Sequence, residues 1–147
     1  MLKTIRKGAF FLILMLLITL PCWVPYWIQI YVNLSDSLPH KIFISFQGKP
    51  KHFSKGMYVV FRHPEFSKQI IKRIEGIPGD QITRTENGPC VQNTVFPVKS
   101  KKPMALSVIP PNYYFVAGSN PNSYDSRYEQ FGLVHIHQIQ GGVWPII

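Results

Sequence analysis

Acidic residues are scarce in this chain. Seven Asp and Glu face sixteen Lys and Arg, a formal net charge of +9 over 147 residues. The basic residues are scattered, with no dense block and no recognisable nucleic-acid motif, so nucleic acid is not the expected partner. A basic domain lying beside anionic lipid headgroups accounts for the charge more simply. Cysteine is scarcer still: Cys22 and Cys90 are the only two. They form no CxxC or other ligand spacing, which argues against a zinc site. They can pair in an oxidising compartment or stay as separate thiols, and the spacing leaves both open. Long apolar runs are missing after residue 32. Thirteen prolines and ten glycines break the chain into short apolar segments, a pattern of strands and turns rather than long helices. The length allows one modest domain.

The N-terminus is the exception. Lys3, Arg6 and Lys7 are followed by an uncharged stretch from Gly8 to Val32. That is enough to span a bilayer, which needs about 20 residues. Basic residues before the span place the N-terminus in the cytoplasm and the remainder outside it. Trp23, Tyr26 and Trp27 fall where an aromatic belt would hold the outer interface. No small-x-small site follows the apolar core, so an uncleaved anchor is expected rather than a removed signal peptide. Pro21 before Cys22 argues against a lipoprotein site. The expected division is an anchor over residues 1–25 and a second domain over 26–147.

Beyond the anchor the chain predicts β-structure. Pro21 and Pro25 are expected to end the helix. Strands are expected over Tyr26–Leu34, Lys41–Phe46, Met57–Arg62, Gln69–Glu75, Tyr113–Ala117 and Leu133–Ile139. The last should stop at Gly141-Gly142. Residues 84–111 read as an irregular β excursion holding a turn at Asn87-Gly88-Pro89 between two expected strands and a basic loop from Lys99 to Pro103. His135 and His137 share a face of the last strand. With no third ligand nearby they read as structural or exposed, and no metal site is expected.

Two segments carry candidate chemistry. Asn33-Leu34-Ser35-Asp36-Ser37-Leu38-Pro39 is a turn at the end of the first strand. Ser37 reads either as a nucleophile or as part of a polar loop. In Gln69–Glu75, alternation puts Ile70, Lys72 and Ile74 on one face. A lysine buried there without an anion would have a lowered pKa, and a neutral amine is a general base. The alternative is a lysine whose stem lies on the strand while its ammonium reaches solvent. Asp125 and Arg127 can pair within the polar loop Gly118–Arg127 and fix its shape.

Taken in order, four segments resemble the type I signal peptidase family, proteases with a Ser/Lys dyad. Ser35-Asp36-Ser37-Leu38-Pro39 is similar to its Ser-x-Ser-Met/Leu-Pro motif. Gly56-Met57-Tyr58-Val59-Val60-Phe61 is similar to its Gly-Asp-x-Val-x-Phe strand, with Met57 for Asp. Lys72-Arg73-Ile74-Glu75-Gly76-Ile77-Pro78-Gly79-Asp80 resembles Lys-Arg-x-x-Gly-x-Pro-Gly-Asp. Gly118-Ser119-Asn120 through Ser123-Tyr124-Asp125-Ser126-Arg127 resembles Gly-Asp-Asn…Ser-x-Asp-Ser-Arg, with Ser119 for Asp. The run Ser37-Leu38-Pro39-His40-Lys41-Ile42-Phe43 is most similar to the small peptidases of conjugative plasmids that mature pilin, with Lys41 for Gly.

The resemblance implies an antiparallel β-domain of coiled sheets behind a transmembrane helix. It implies Ser37 as nucleophile and Lys72 as base, with no cofactor. The Ser37 N–H and the Ser35 hydroxyl would form the oxyanion hole. Ser123 would orient Lys72, and Asp125 and Arg127 would brace the loop. Leu34, Asp36, Ile70 and Ile71 would line the substrate. Partners would be an exported precursor, pilin above all, and the lipid bilayer. The implied location is the bacterial inner membrane, single-pass, with the catalytic domain on the periplasmic face. Three functions follow from these residues: a pilin-processing endopeptidase that hydrolyses or cyclises, a general signal peptidase, and an assembly factor that binds pilin without cutting it.

Overall fold

The computed structural model describes residues 2–50, 52–99, 104 and 108–146, with the backbone alone for 2–7 and 20–26. Helix α1 (Leu2–Trp27) leads into β1 (Ile28–Val32) and β2 (Ile42–Phe46). Then come β3 (Tyr58–Arg62), β4 (Gln69–Gly76), β5 (Ile82–Thr85), β6 (Gly88–Val91) and β7 (Thr94–Val95). The last are β8 (Tyr113–Ala117), β9 (Val134–His135) and β10 (Ile139–Pro145). Seven strands form one sheet in the order β1-β2-β10-β3-β4-β8-β9, and β5-β6-β7 form a second. The recorded pairings between these strands are antiparallel. The mainly β, antiparallel character expected from the sequence is what forms.

Several boundaries differ from expectation. The helix does not stop at Pro21 or Pro25; it continues to Trp27 and β1 begins at Ile28. A proline removes one helix donor, but its fixed φ is itself helical, so an apolar helix can pass through it. The expected strand Leu133–Ile139 is two pieces, because residues 136–138 form a turn in which Gln138 N–H donates to the His135 carbonyl. The true last strand runs on through Gly141 and Gly142, wedged between β2 and β3. Ser45 Oγ lies 3.5 Å from where a Gly141 Cβ would stand, and a Pro50 carbon 3.4 Å from that of Gly142. These are ordinary contact distances, and the glycine pair is carried inside the strand rather than ending it. The excursion expected to be irregular over 84–111 holds most of the small sheet, whose first strand starts at Ile82. Most of the basic loop, 100–103, lies outside the described residues, as does the side chain of Cys22; Cys90 is a free thiol.

Of α1, the placed side chains from Gly8 to Thr19 are exposed, including Phe10, Phe11 and Leu12 to Ile18. Among the described residues no helix is long and apolar enough to cross a membrane. The belt residues Trp23 and Tyr26 lie outside the described side chains, and Trp27 is exposed.

Three apolar clusters hold the β-domain. The largest contains Val59, Phe61, Ile74, Tyr114, Val116, Phe131 and Ile139, with Ile70 packed against it. A second joins Ile82, Val91, Phe96, Ile109 and Phe115, tying the small sheet to β8. The third contains Leu38, Phe43, Val60, Ile71 and Val143. It positions the site, because Leu38 follows Ser37 and Ile71 precedes Lys72 in the chain. Burying a Leu or Ile side chain contributes about 1.5–3 kcal/mol, so the two chemistry-bearing segments share one apolar anchorage.

Candidate active site

Ser37 sits in the turn after β1, buried to 8% exposure. The turn is held from within and from across the molecule. Asn33 N–H donates to the Lys41 carbonyl at 2.7 Å, and Asn33 Nδ2 to the His40 carbonyl at 3.1 Å. Asn33 Oδ1 accepts from Ser35 N at 3.2 Å and from Ser35 Oγ at 2.7 Å. The Ser35 and Ser37 hydroxyls are hydrogen-bonded at 2.8 Å. From the loop after β8, Asn120 donates twice. Its Nδ2 reaches the Asp36 carbonyl at 3.2 Å and its N–H the Ser37 carbonyl at 3.3 Å. The peptide group that carries the Ser37 N–H is thereby fixed through its own carbonyl.

Lys72 comes from the middle of β4, opposite Val59 of β3. Its side chain is 4% exposed and its Nζ donates to Ser123 Oγ at 2.6 Å. Of the two readings open in the sequence, the buried one holds, with Ile70 and Ile74 on the same core. Burial draws the Lys72 pKa down from 10.5 to about 8, with the Asp125 carboxylate opposing and the Arg127 guanidinium assisting. No direct hydrogen bond joins Ser37 to Lys72 among the described residues. Gly118 links the two sides instead. A Cβ there would meet both the Ser123 Oγ and the Ser37 carbonyl oxygen at 2.5 Å. The absence of a side chain lets the turn and the lysine's partner approach.

Ser35, Ser37, Lys72 and Ser123 all line one groove of about 1100 Å³. Its walls are Ile30 to Leu34 on one side and Gln69 to Ile71 on the other. Leu34 is 85% exposed at its rim, while Ile71 is largely sunk into the third cluster. Asp36 also lines it, yet its carboxylate is held by Lys41 Nζ at 2.8 Å. That ammonium holds the Asp36 carboxyl below its ordinary range. Its volume lies at the top of the range of small-molecule pockets, and strands β1 and β4 contribute residues to its two walls.

A buried serine hydrogen-bonded to a second serine and a desolvated lysine, lining one groove, agree with a comparison to protein families. The model described as "Signal peptidase, peptidase S26" matches residues 1–146. The chain belongs to the signal peptidase family, peptidase S26. No curated protein matches it. Among solved structures it is similar to a signal peptidase I from Enterococcus faecalis, at 22% identity and a TM-score of 0.46. That match covers 63% of this chain and 97% of the other. Membership makes the chain a serine peptidase of a family that acts on exported precursor proteins and is membrane-associated.

In this signal peptidase the loop after β8 is braced by a buried ion pair, as the sequence allowed. Asp125 and Arg127 are 0% and 1% exposed. Arg127 Nε donates to Asp125 Oδ1 at 2.9 Å, and a terminal nitrogen to Oδ2 at 3.0 Å. The guanidinium also donates to the carbonyls of Gly118, Asn120, Pro121 and Pro97. Asp125 Oδ2 accepts from Gly118 N–H at 2.8 Å. One guanidinium therefore sets the backbone of Gly118 and Asn120, both of which touch the serine turn. Sequence reasoning missed Asn33 and gave no separate role to Asn120 or Gly118. The last two lie inside the quoted loop motif, so their presence was readable and their contacts were not. His135 and His137 lie away from the groove, with ring centroids 4.9 Å apart.

Proposed function

We propose that this peptidase is a membrane-anchored endopeptidase in which Ser37 attacks the scissile carbonyl and Lys72 is the base. Neutral Lys72 takes the Ser37 hydroxyl proton as the Ser37 oxygen bonds to the carbonyl carbon. The Ser37 N–H and the Ser35 hydroxyl stabilise the oxyanion, each such donor being worth about 3 kcal/mol of barrier. The ammonium returns its proton to the departing amine as the C–N bond breaks. Water, deprotonated by the same amine, then releases the acyl group. Ser123 orients Lys72, and Asp125 with Arg127 braces the loop that carries it. The observation that carries this reading is the convergence of Ser35, Ser37, Lys72 and Ser123 on one groove, with the lysine desolvated.

The substrate enters as extended chain between the Ile30–Leu34 and Gln69–Ile71 walls. Leu34, Asp36, Ile70 and Ile71 contact it. The finer substrate assignment is a pilin precursor of a conjugative system. It is supported by the run from Ser37 to Phe43. The uncharged N-terminal stretch and its exposed helical side chains support a single-pass anchor in the bacterial inner membrane, with the domain on the periplasmic face.

The experiment incubates membranes carrying the wild type or Ser37→Ala with candidate pilin precursors and follows them by mass spectrometry. Cleavage by the wild type alone supports the assignment; equal processing by Ser37→Ala removes Ser37 from the reaction. A product lighter by one water than the hydrolysed form identifies cyclisation. Processing of many unrelated exported precursors with equal efficiency would replace the pilin assignment with a general one.

A further inference from the structure

Asn33 is buried, lies just outside the family's Ser-x-Ser-Met/Leu-Pro motif, and commits its N–H and its side-chain amide to the serine turn. Its position is fixed from behind by donation to two carbonyls, those of Lys41 and His40. Its Oδ1 then faces Ser35 and accepts both the backbone N–H and the hydroxyl. A serine hydroxyl has one hydrogen. If the Ser35 hydrogen goes to Asn33 at 2.7 Å, the 2.8 Å contact between the serines must be a donation from Ser37 to Ser35. Lys72 meanwhile donates to Ser123. In the free enzyme the Ser37 proton therefore faces Ser35, away from the lysine.

We infer that Asn33 is a positioning residue that holds the Ser35 hydroxyl in reserve and surrenders it to the oxyanion. This rests on the reading of Ser37 as nucleophile and Ser35 as oxyanion donor. While the groove is empty, Asn33 accepts the Ser35 hydrogen, and Ser35 in turn accepts that of Ser37. When a substrate carbonyl oxygen enters, the Ser35 hydroxyl rotates its hydrogen from Asn33 to that oxygen and holds it as charge builds. The same rotation turns the Ser35 lone pairs off the Ser37 hydrogen, which is then free to pass to Lys72 as Ser37 attacks. One rotation thus completes the oxyanion hole and releases the nucleophile's proton to its base. The amide oxygen suits this role because it is neutral. It fixes the rotor at rest, and it competes only weakly with a charged oxyanion, since bonds to ionised acceptors are roughly twice as strong.

The test uses the detergent-solubilised full chain and an N-acetyl-Ala-Ala p-nitrophenyl ester, with nitrophenol release reporting acylation of Ser37. Ser35→Ala should slow acylation by about 10²–10³-fold, the loss of one oxyanion donor. Asn33→Ala should slow it about 10-fold, a lesser loss because the donor remains but is unaimed. Asn33→Asp keeps the Oδ1 acceptor but loses the Nδ2 donation to the His40 carbonyl, so the thermal midpoint of each variant is measured beside its rate. The ionised carboxylate should hold the Ser35 hydrogen too tightly and slow acylation at least about 10-fold. The decisive readout is coupling. In the Ser35→Ala background, either Asn33 substitution should change the rate less than about twofold. If a folded Asn33 variant loses the same factor with and without Ser35, Asn33 only shapes the turn and the proposal is overturned. An unaffected rate in Ser35→Ala would overturn it as well. Absence of Ser37-dependent nitrophenol release from the wild type would instead sink the parent reading.

Discussion

Lys72 shows what burial does to one amine. Its nitrogen is out of water and hydrogen-bonded to a neutral hydroxyl, and its pKa falls to about 8. At neutral pH most of the population is still protonated, so activity should climb with pH. Below pH 8, kcat/KM should rise about tenfold per unit and level off above, because it reports the free enzyme's base. A bound peptide excludes more water and lowers the pKa further, so the limb in kcat should lie at lower pH. A rate unchanged between pH 5 and 9 would remove the lysine from the proton transfer. Stability follows the same group with its sign set by linkage. The folded pKa lies below the ordinary 10.5, so between about 8 and 10.5 the unfolded chain holds more protons. Stability therefore rises with pH through that window and falls as pH drops back through about 8. Ser123→Ala removes the acceptor that aims the amine and should lower kcat about 10²-fold, and the buried donor left unpaired should lower stability by about 1–3 kcal/mol. The sequence made Lys72 legible because a cation stood between two isoleucines on one strand face. It could not make Asn33 legible, since an asparagine at a strand end is ordinary turn chemistry until its partners are known.

The polar loop after β8 is where element and site meet. Residues that could have been mere surface are closed around a buried guanidinium instead. Removing one partner of such a pair leaves the other charged and unpaired, at about 3–5 kcal/mol. Arg127→Met should lose stability of that order in thermal unfolding, and activity with it. Arg127→Lys should recover only part, because one ammonium cannot span the carbonyls that the guanidinium reaches. Gly118→Ala separates geometry from stability. Its new methyl would fall 2.5 Å from the Ser37 carbonyl oxygen, a backbone atom, and equally near Ser123 Oγ. The turn must back away from the lysine's partner, and kcat should fall about 10²-fold while the fold survives. Unchanged kcat would show that the two sides need not touch. The ion pair could be anticipated from Asp125 and Arg127 two residues apart; their depth could not. Strand β10 was misjudged for a related reason. Gly141-Gly142 reads locally as punctuation, whereas pairing with β2 and β3 carries the strand through both glycines. Only pairing partners distant in sequence settle such a choice.

At the scale of the whole molecule, one question is which part brings the groove to its substrate. Two surfaces compete. One is α1, apolar and exposed along its placed side chains; the other is on the sheet, where Ile30, Val32, Leu34, Phe46, Trp144 and Ile146 are exposed near one edge. The two should differ in strength. The anchor proposed above would bury about 20 residues in hydrocarbon, whereas scattered exposed side chains offer only partial burial, at about 25 cal/mol per Å² of apolar surface. The net charge of +9 adds attraction to anionic headgroups that salt screens. The full chain should therefore stay in membranes through alkaline carbonate and high salt. A chain lacking residues 2–27 should be released by either treatment, yet sediment with anionic vesicles at low salt. β1 begins only at Ile28 and keeps its pairing with β2, so the truncated chain should still acylate on the ester probe. Processing of a membrane-inserted precursor should drop far more than ester acylation, because anchoring confines enzyme and scissile segment to one surface and raises their effective concentration. Retention of the truncated chain through carbonate would transfer the anchoring role from α1 to the sheet.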